Sequence, residues 1–254
     1  SHYSPETLPG AIAVSCNTWF LKSYLSMLSN TQKYGTKEKA VTTWWEYMTS
    51  MGLGGPLGID MAGEKGGLVA NVNYLSRRYK NQWEPKTIMW AGMGQGDITV
   101  TPLQLCNLAA TIANRGFFFT PHIHKSADWA PLPSRFLTPR QTKVPPYIYT
   151  RVIEGMRLAV TKGTATVLKG TTYPVCGKTG TAENAGKDHS VFIGFAPMDE
   201  PKIAISVYIE HGGFGADVAA PIAGLVMEKY LKGKLSPRSQ AMAKHIERIN
   251  TMDK

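Results

Sequence analysis

The chain has 254 residues, 43% hydrophobic and 18% charged, a balance that supports a sizeable core and excludes an intrinsically disordered segment. Lys and Arg outnumber Asp and Glu by 28 to 18, for a formal charge of +10. The basic residues are spread out and no basic run is interleaved with aromatics, so the charge reads as a solvated surface and not as a nucleic-acid footprint.

In chain order, Ser4 to Gly10 carries the marks of a helix start, with Ser4 or Thr7 as cap and Pro5 or Pro9 in the first turn. Apolar residues then recur through Ile12, Phe20, Leu21, Tyr24, Leu25 and Leu28. The polar Ser15-Cys16-Asn17 interrupts them, which predicts two helices with the triplet at their junction. A helix over about 39–51 stops at Gly52, Gly54 and Gly55, and residues 56–100 read as loop-rich. The clearest helix follows: Thr101 as N-cap, Pro102 at the first position and Gln104 at the third form a capping box, and Gly116 ends it. Residues 120–146 read as irregular. Helices are expected over about 148–161 and 165–169.

From Tyr173 the period changes to that of strands, predicted at 175–181, 190–197 and 202–210, with Met198-Asp199-Glu200-Pro201 as a tight hairpin. A helix over about 217–231 and a basic amphipathic tail over 236–253 complete the reading. No apolar run approaches the ~20 residues of a membrane span. Cys16, Cys106 and Cys176 are isolated, without a C-x-x-C, which argues against a zinc knuckle or thioredoxin-type site.

Two stretches carry chemistry. Lys178-Thr179-Gly180-Thr181 on a strand offers a cation, two hydroxyls able to bind a carboxylate, and a glycine against which a substrate backbone can lie. An edge strand of this kind can pair with an extended peptide. A phosphate-binding P-loop is excluded, because position 172 is Thr and no helix follows. The second stretch is Ser15-Cys16-Asn17, an S-x-N whose bland reading is a helix cap. K-T-G and S-x-N are two of three motifs of penicillin-recognising serine acyl enzymes. The third, S-x-x-K, is missing: no Ser has a Lys three positions on. Thr36 to Lys39 and Thr166 to Lys169 have T-x-x-K spacing but follow Ser15, and read as surface helix residues.

With these residues the chain resembles the C-terminal part of the transpeptidase domain of class B penicillin-binding proteins, in particular the elongation-type penicillin-binding protein 2. The resemblance also runs through Gly94-Gln95-Gly96, Val100 to Leu105, Ala109 to Gly116, Ala182-Glu183, His189-Ser190 and Phe192 to Pro197. It implies an α/β fold, an antiparallel sheet with a helical lobe, as in serine β-lactamases and D,D-peptidases, with the opening helix and first two strands upstream. Residues 1–235 would form a partial transpeptidase domain and 236–254 a basic, helical tail.

The implied activity is D,D-transpeptidation of peptidoglycan stem peptides through a serine acyl-enzyme that β-lactams also form. By that carry-over Ser15 relays protons, Asn17 bonds the substrate amide, Lys178 sets the local field, and Thr179 and Thr181 bind the terminal carboxylate beside Gly180. The backbone N–H of Thr181 supplies half of the oxyanion hole. The nucleophile is expected upstream, leaving these residues inactive alone. No cofactor or metal is expected, although His2 and Cys16 flank the first helix. Implied partners are stem peptides, β-lactams, a membrane glycosyltransferase and elongation-complex proteins, with the catalytic domain periplasmic and anchored in the inner membrane. The rivals are a catalytically dead peptidoglycan-binding pseudoenzyme and a serine β-lactamase or penicillin-sensing receptor.

Overall fold

The computed structural model describes residues 5, 7–125 and 130–249. His2 and the end of the predicted tail lie outside them.

In chain order the elements are α1 (Leu8–Ala13), α2 (Asn17–Leu28), α3 (Thr31–Tyr34), α4 (Lys37–Ser50), β1 (Leu68–Val69), α5 (Val72–Arg78), a 3-10 turn at Met89–Met93 and β2 (Ile98–Thr99). Then come α6 (Pro102–Ala113), β3 (Phe117–Phe118), α7 (Ser134–Leu137), β4 (Arg140–Gln141), α8 (Pro146–Lys162) and a 3-10 turn at Thr166–Leu168. The chain closes with β5 (Cys176–Ala182), β6 (His189–Ala196), β7 (Ile203–Ile209), α9 (Ala219–Lys232) and α10 (Pro237–Ile246). It divides into two compact units. One holds residues 1–15, 112–115 and 147–254; the other holds 16–111 and 116–146.

The first unit is built on an antiparallel sheet of order β5-β6-β7. Its register sets Lys178 opposite Ile193 and Gly180 opposite Val191. Valine, isoleucine and phenylalanine dominate β6 and β7, side chains that suit a pleated, half-buried surface. Helix α9 covers the sheet, and its small residues Ala219, Ala220 and Ala223 let it approach closely. Phe192, Val175, Ala196 and Met227 join them in a fully buried core. Ser190 is buried too and ties the β7–α9 connection down: its Oγ donates to Phe214 O (2.9 Å) and accepts from Ala219 N–H (3.1 Å). Helix α10 packs on α9, and Arg238 at its start donates to the carbonyls of Lys169 and Val167.

The second unit packs α2, α4 and α5 around Tyr24, Leu28, Val41, Leu75 and Trp83. Its polar anchor is Gln104. The capping box forms in both directions, Gln104 Oε1 accepting from Thr101 N–H and Thr101 Oγ1 from Gln104 N–H. The Gln104 amide, buried, then donates to Gly55 O and Gly66 O. Residues 56–100 therefore hold more order than their glycines suggest. Glu64 closes a loop by accepting from the N–H groups of Leu57, Gly58 and Ile59, and Asn71 caps α5.

Candidate active site

The site grows from the end of α1. Val14 N–H closes back on Gly10 O and Ser15 N–H on Ile12 O, and Ser15 turns left-handed at φ 54. That conformation is uncommon for a residue with a side chain and leaves Ser15 exposed beyond the helix. The chain leaving α8 lies against the same turn. Thr164 N–H donates to Ala13 O (3.1 Å), and the approach is so close that a Cβ on Gly163 would run into that carbonyl.

Strand β5 starts in the core, with Val175 and Cys176 fully buried and Arg157 Nη1 donating to Val175 O (3.0 Å). Burial pushes the Cys176 thiol up to about 12, against the smaller pull of Arg157. Gly177 has no side chain because the ring of Phe192 fills that space, so the strand rises from the core immediately before Lys178.

Lys178 is half-buried, and its Nζ donates to Ser15 Oγ (2.9 Å) and to Thr179 O (2.6 Å). None of the described ion pairs includes it. Desolvation therefore goes uncompensated by a carboxylate and brings the ammonium down to about 8. Thr179 and Thr181 alternate with Lys178 and lie on one face of the strand. The Thr179 hydroxyl meets Thr164 Oγ1 at 2.7 Å. Gly180 lies against the backbone of the β7–α9 connection, where a Cβ on Gly215 would strike Gly180 O.

The geometry thus brings together Ser15, Lys178, Thr179 and a residue no motif pointed to, Thr164. Asn17 is exposed and is the first residue of α2, in the other unit. His211 takes a left-handed turn and donates its N–H to His189 Nδ1 (3.1 Å). His122 and His124 sit in a segment whose backbone N–H groups at Ile123 and His124 are held by the Asp60 carboxylate. Among the described residues no group of three His, Cys, Asp or Glu side chains is arranged to hold a metal ion.

Comparison with known proteins decides the family. Residues 1–228 match the penicillin binding protein transpeptidase domain. The chain belongs to that family. It is 30% identical over 235 residues to the peptidoglycan D,D-transpeptidase MrdA of Acinetobacter baumannii, covering 84% of this chain and 33% of that protein. The transpeptidase fold is also that of Pseudomonas aeruginosa PBP2 solved in complex with WCK 5153, at a TM-score of 0.77 and 32% identity over 91% of this chain and 49% of that one. A chain from a peptidoglycan synthase complex, studied for its coordination of polymerization and crosslinking, matches at a TM-score of 0.75 and 32% identity, covering 92% of this chain and 39% of that one. The transpeptidase sequence in hand thus spans about a third of the length of its MrdA relative. The antiparallel sheet with flanking helices and the resemblance to penicillin-binding protein 2 both stand. No described helix is long and apolar enough to cross a membrane.

Proposed function

We propose that this chain carries the proton-relay and carboxylate-binding half of a peptidoglycan D,D-transpeptidase site, and that the acylated serine is supplied by residues outside these 254. The observation that carries the reading is the 2.9 Å hydrogen bond between Lys178 Nζ and Ser15 Oγ, residues 163 positions apart. A lysine held to about 8 can keep its charge near neutral pH and still exchange a proton with a hydroxyl beside it. In acylation the nucleophilic oxygen forms a bond to the penultimate D-Ala carbonyl carbon, and the bond to the terminal D-Ala nitrogen breaks. The proton released by the serine reaches that nitrogen, with Ser15, polarised by Lys178, as the last donor. Thr179 and Thr181 hold the terminal carboxylate against Gly180, and the backbone N–H of Thr181 faces the developing oxyanion. Asn17 bonds the substrate amide. A β-lactam takes the same path, its ring nitrogen being the leaving group.

The substrates are then stem peptides and their β-lactam mimics. The partners are a membrane glycosyltransferase and elongation proteins, in keeping with the synthase complex among the structural neighbours. The place of action is the periplasmic face of the inner membrane. The test is to treat the full-length gene product with a fluorescent penicillin and map the adduct by peptide mass spectrometry. An adduct on a Ser outside these residues, lost in Lys178→Ala, is expected, and none on the 254-residue chain alone. An adduct on one of this chain's own Ser or Thr side chains, or none on the folded full-length protein, overturns the reading.

A further inference from the structure

Transpeptidation has a second half. Once the terminal D-Ala has left, the amine of a second stem peptide attacks the acyl-enzyme. Its nitrogen forms a bond to the acyl carbonyl carbon, the bond to the serine oxygen breaks, and the proton lost by the amine returns to that oxygen. The attacking nitrogen enters where the departing nitrogen left. The body of the acceptor therefore extends to the side where the terminal carboxylate lay, past Thr179 and its neighbour Thr164.

Two cavities continue from there. One, of about 420 Å³, runs from Thr164 and Thr166 to Ala216 and Asp217. The other, of about 540 Å³, reaches Gly186 and Asp188 at the tip of the β5–β6 hairpin. Asp217 and Ile249 line both, so the two form one groove, and each part has the volume of a ligand site. Main-chain contact fixes the groove beside the reacting strand, because a Cβ on Gly215 would strike the backbone of Gly180. Its outer wall is α10 and the turn after it. Met242, His245, Ile246 and Ile249 recur every three or four residues, on one helical face, and all line the groove. Arg238 pins the start of the helix to the 3-10 turn at Thr166–Leu168. This wall lies outside the residues that match the transpeptidase domain, which end at 228. The chain carries a charge of +10, yet the groove holds Asp188 and Asp217, neither of them in a described ion pair, with Lys187 at the hairpin end. An amine arrives from water as an ammonium, to which two carboxylates are complementary.

We propose that this groove is the acceptor subsite, taking a second, amine-bearing stem peptide, and that α10 supplies its outer wall. The inference rests on the transpeptidase reading of Lys178 and Thr179. The experiment gives the full-length protein a donor stem pentapeptide and one of two amines. The first is a second stem peptide with a free side-chain amine. The second is isotope-labelled D-alanine, which fills the vacated position without reaching into the groove. Mass spectrometry separates the cross-linked, exchanged and hydrolysed products. In Ile246→Trp, which fills the groove, and in a protein ending at Leu235, which lacks α10, cross-linking should fall about tenfold relative to hydrolysis, the scale of one lost apolar side-chain contact. Exchange with D-alanine and acylation by a fluorescent penicillin should each change by less than about twofold on the same scale. An equal loss with both amines, or loss of penicillin acylation in both variants, makes α10 a merely structural element and overturns the proposal. A wild-type protein that is acylated, but whose choice of amine neither variant moves or which forms no cross-link with the peptide, overturns it as well and leaves the acyl-enzyme reading intact. A wild-type protein that takes up neither penicillin nor donor defeats the functional reading first and this inference with it.

Discussion

Lys178 is a place where function works against stability, and the size of the conflict can be worked out. Bringing its pKa from 10.5 to about 8 corresponds to about 3 kcal/mol against folding at neutral pH, at about 1.4 kcal/mol per tenfold change in proton affinity. Water on the open side of this half-buried group trims that to about 2 kcal/mol. In Lys178→Met the apolar stem stays and the ammonium goes. Two hydrogen bonds are lost, to Ser15 Oγ and Thr179 O, together worth about 1 kcal/mol after exchange with water.

The variant should therefore be more stable than wild type by about 1 kcal/mol at pH 7, while losing whatever activity Lys178 supports. The sign reverses with pH. Between about 8 and 10.5 the unfolded chain holds a proton that the folded chain has released, so wild-type stability rises with pH through this window. By pH 10 the wild type should have recovered about 1.5 kcal/mol of this relative to the variant, and the two stability curves cross. Tyrosines titrating in the same range are common to both proteins and cancel in the difference. Urea denaturation followed by far-ultraviolet circular dichroism at pH 7 and pH 10 measures it. A variant less stable than wild type at pH 7, or a difference that stays flat between the two pH values, refutes the argument from burial.

Gln104→Leu should lower stability in urea by about 2–4 kcal/mol, because it orphans the carbonyls of Gly55 and Gly66 and removes the acceptor for Thr101 N–H; an effect under about 1 kcal/mol would mean water replaces the amide. Gly163→Ala should destabilise by about 1–3 kcal/mol, since the new methyl group meets the Ala13 carbonyl and not a movable side chain. Its melting temperature should fall below that of Thr164→Val, and equal values would show that the turn can relax. Cys176, buried and held near 12, should resist alkylation by iodoacetamide at pH 8 until urea unfolds the chain, whereas the half-buried Cys16 reacts in the native state; peptide mass spectrometry distinguishes them, and early labelling of Cys176 would contradict its burial.

What the sequence disclosed follows the range of the interactions involved. The capping box at Thr101 and Gln104, the junction between α1 and α2, and the three strands from Cys176 onward are local patterns, and each was legible from spacing alone. Helix α5 was not. It has seven residues, too few for a period to stand out, and it lies in a stretch whose glycines read as loop. The glycine density itself misled, because the order there comes from one carboxylate, Glu64, holding three backbone N–H groups. In the site the same division recurs. Ser15 and Lys178 could be named because their motifs fix residue types at short spacing. Thr164 could not, since its significance lies in Ala13 and Thr179, neither of them its neighbour in the chain. Nor could the softened charge of Lys178, which depends on a core that buries the base of β5 and offers it a hydroxyl where a carboxylate would have restored its usual affinity for protons. A motif identifies the groups that can react, and the tertiary packing around them sets their protonation and aim.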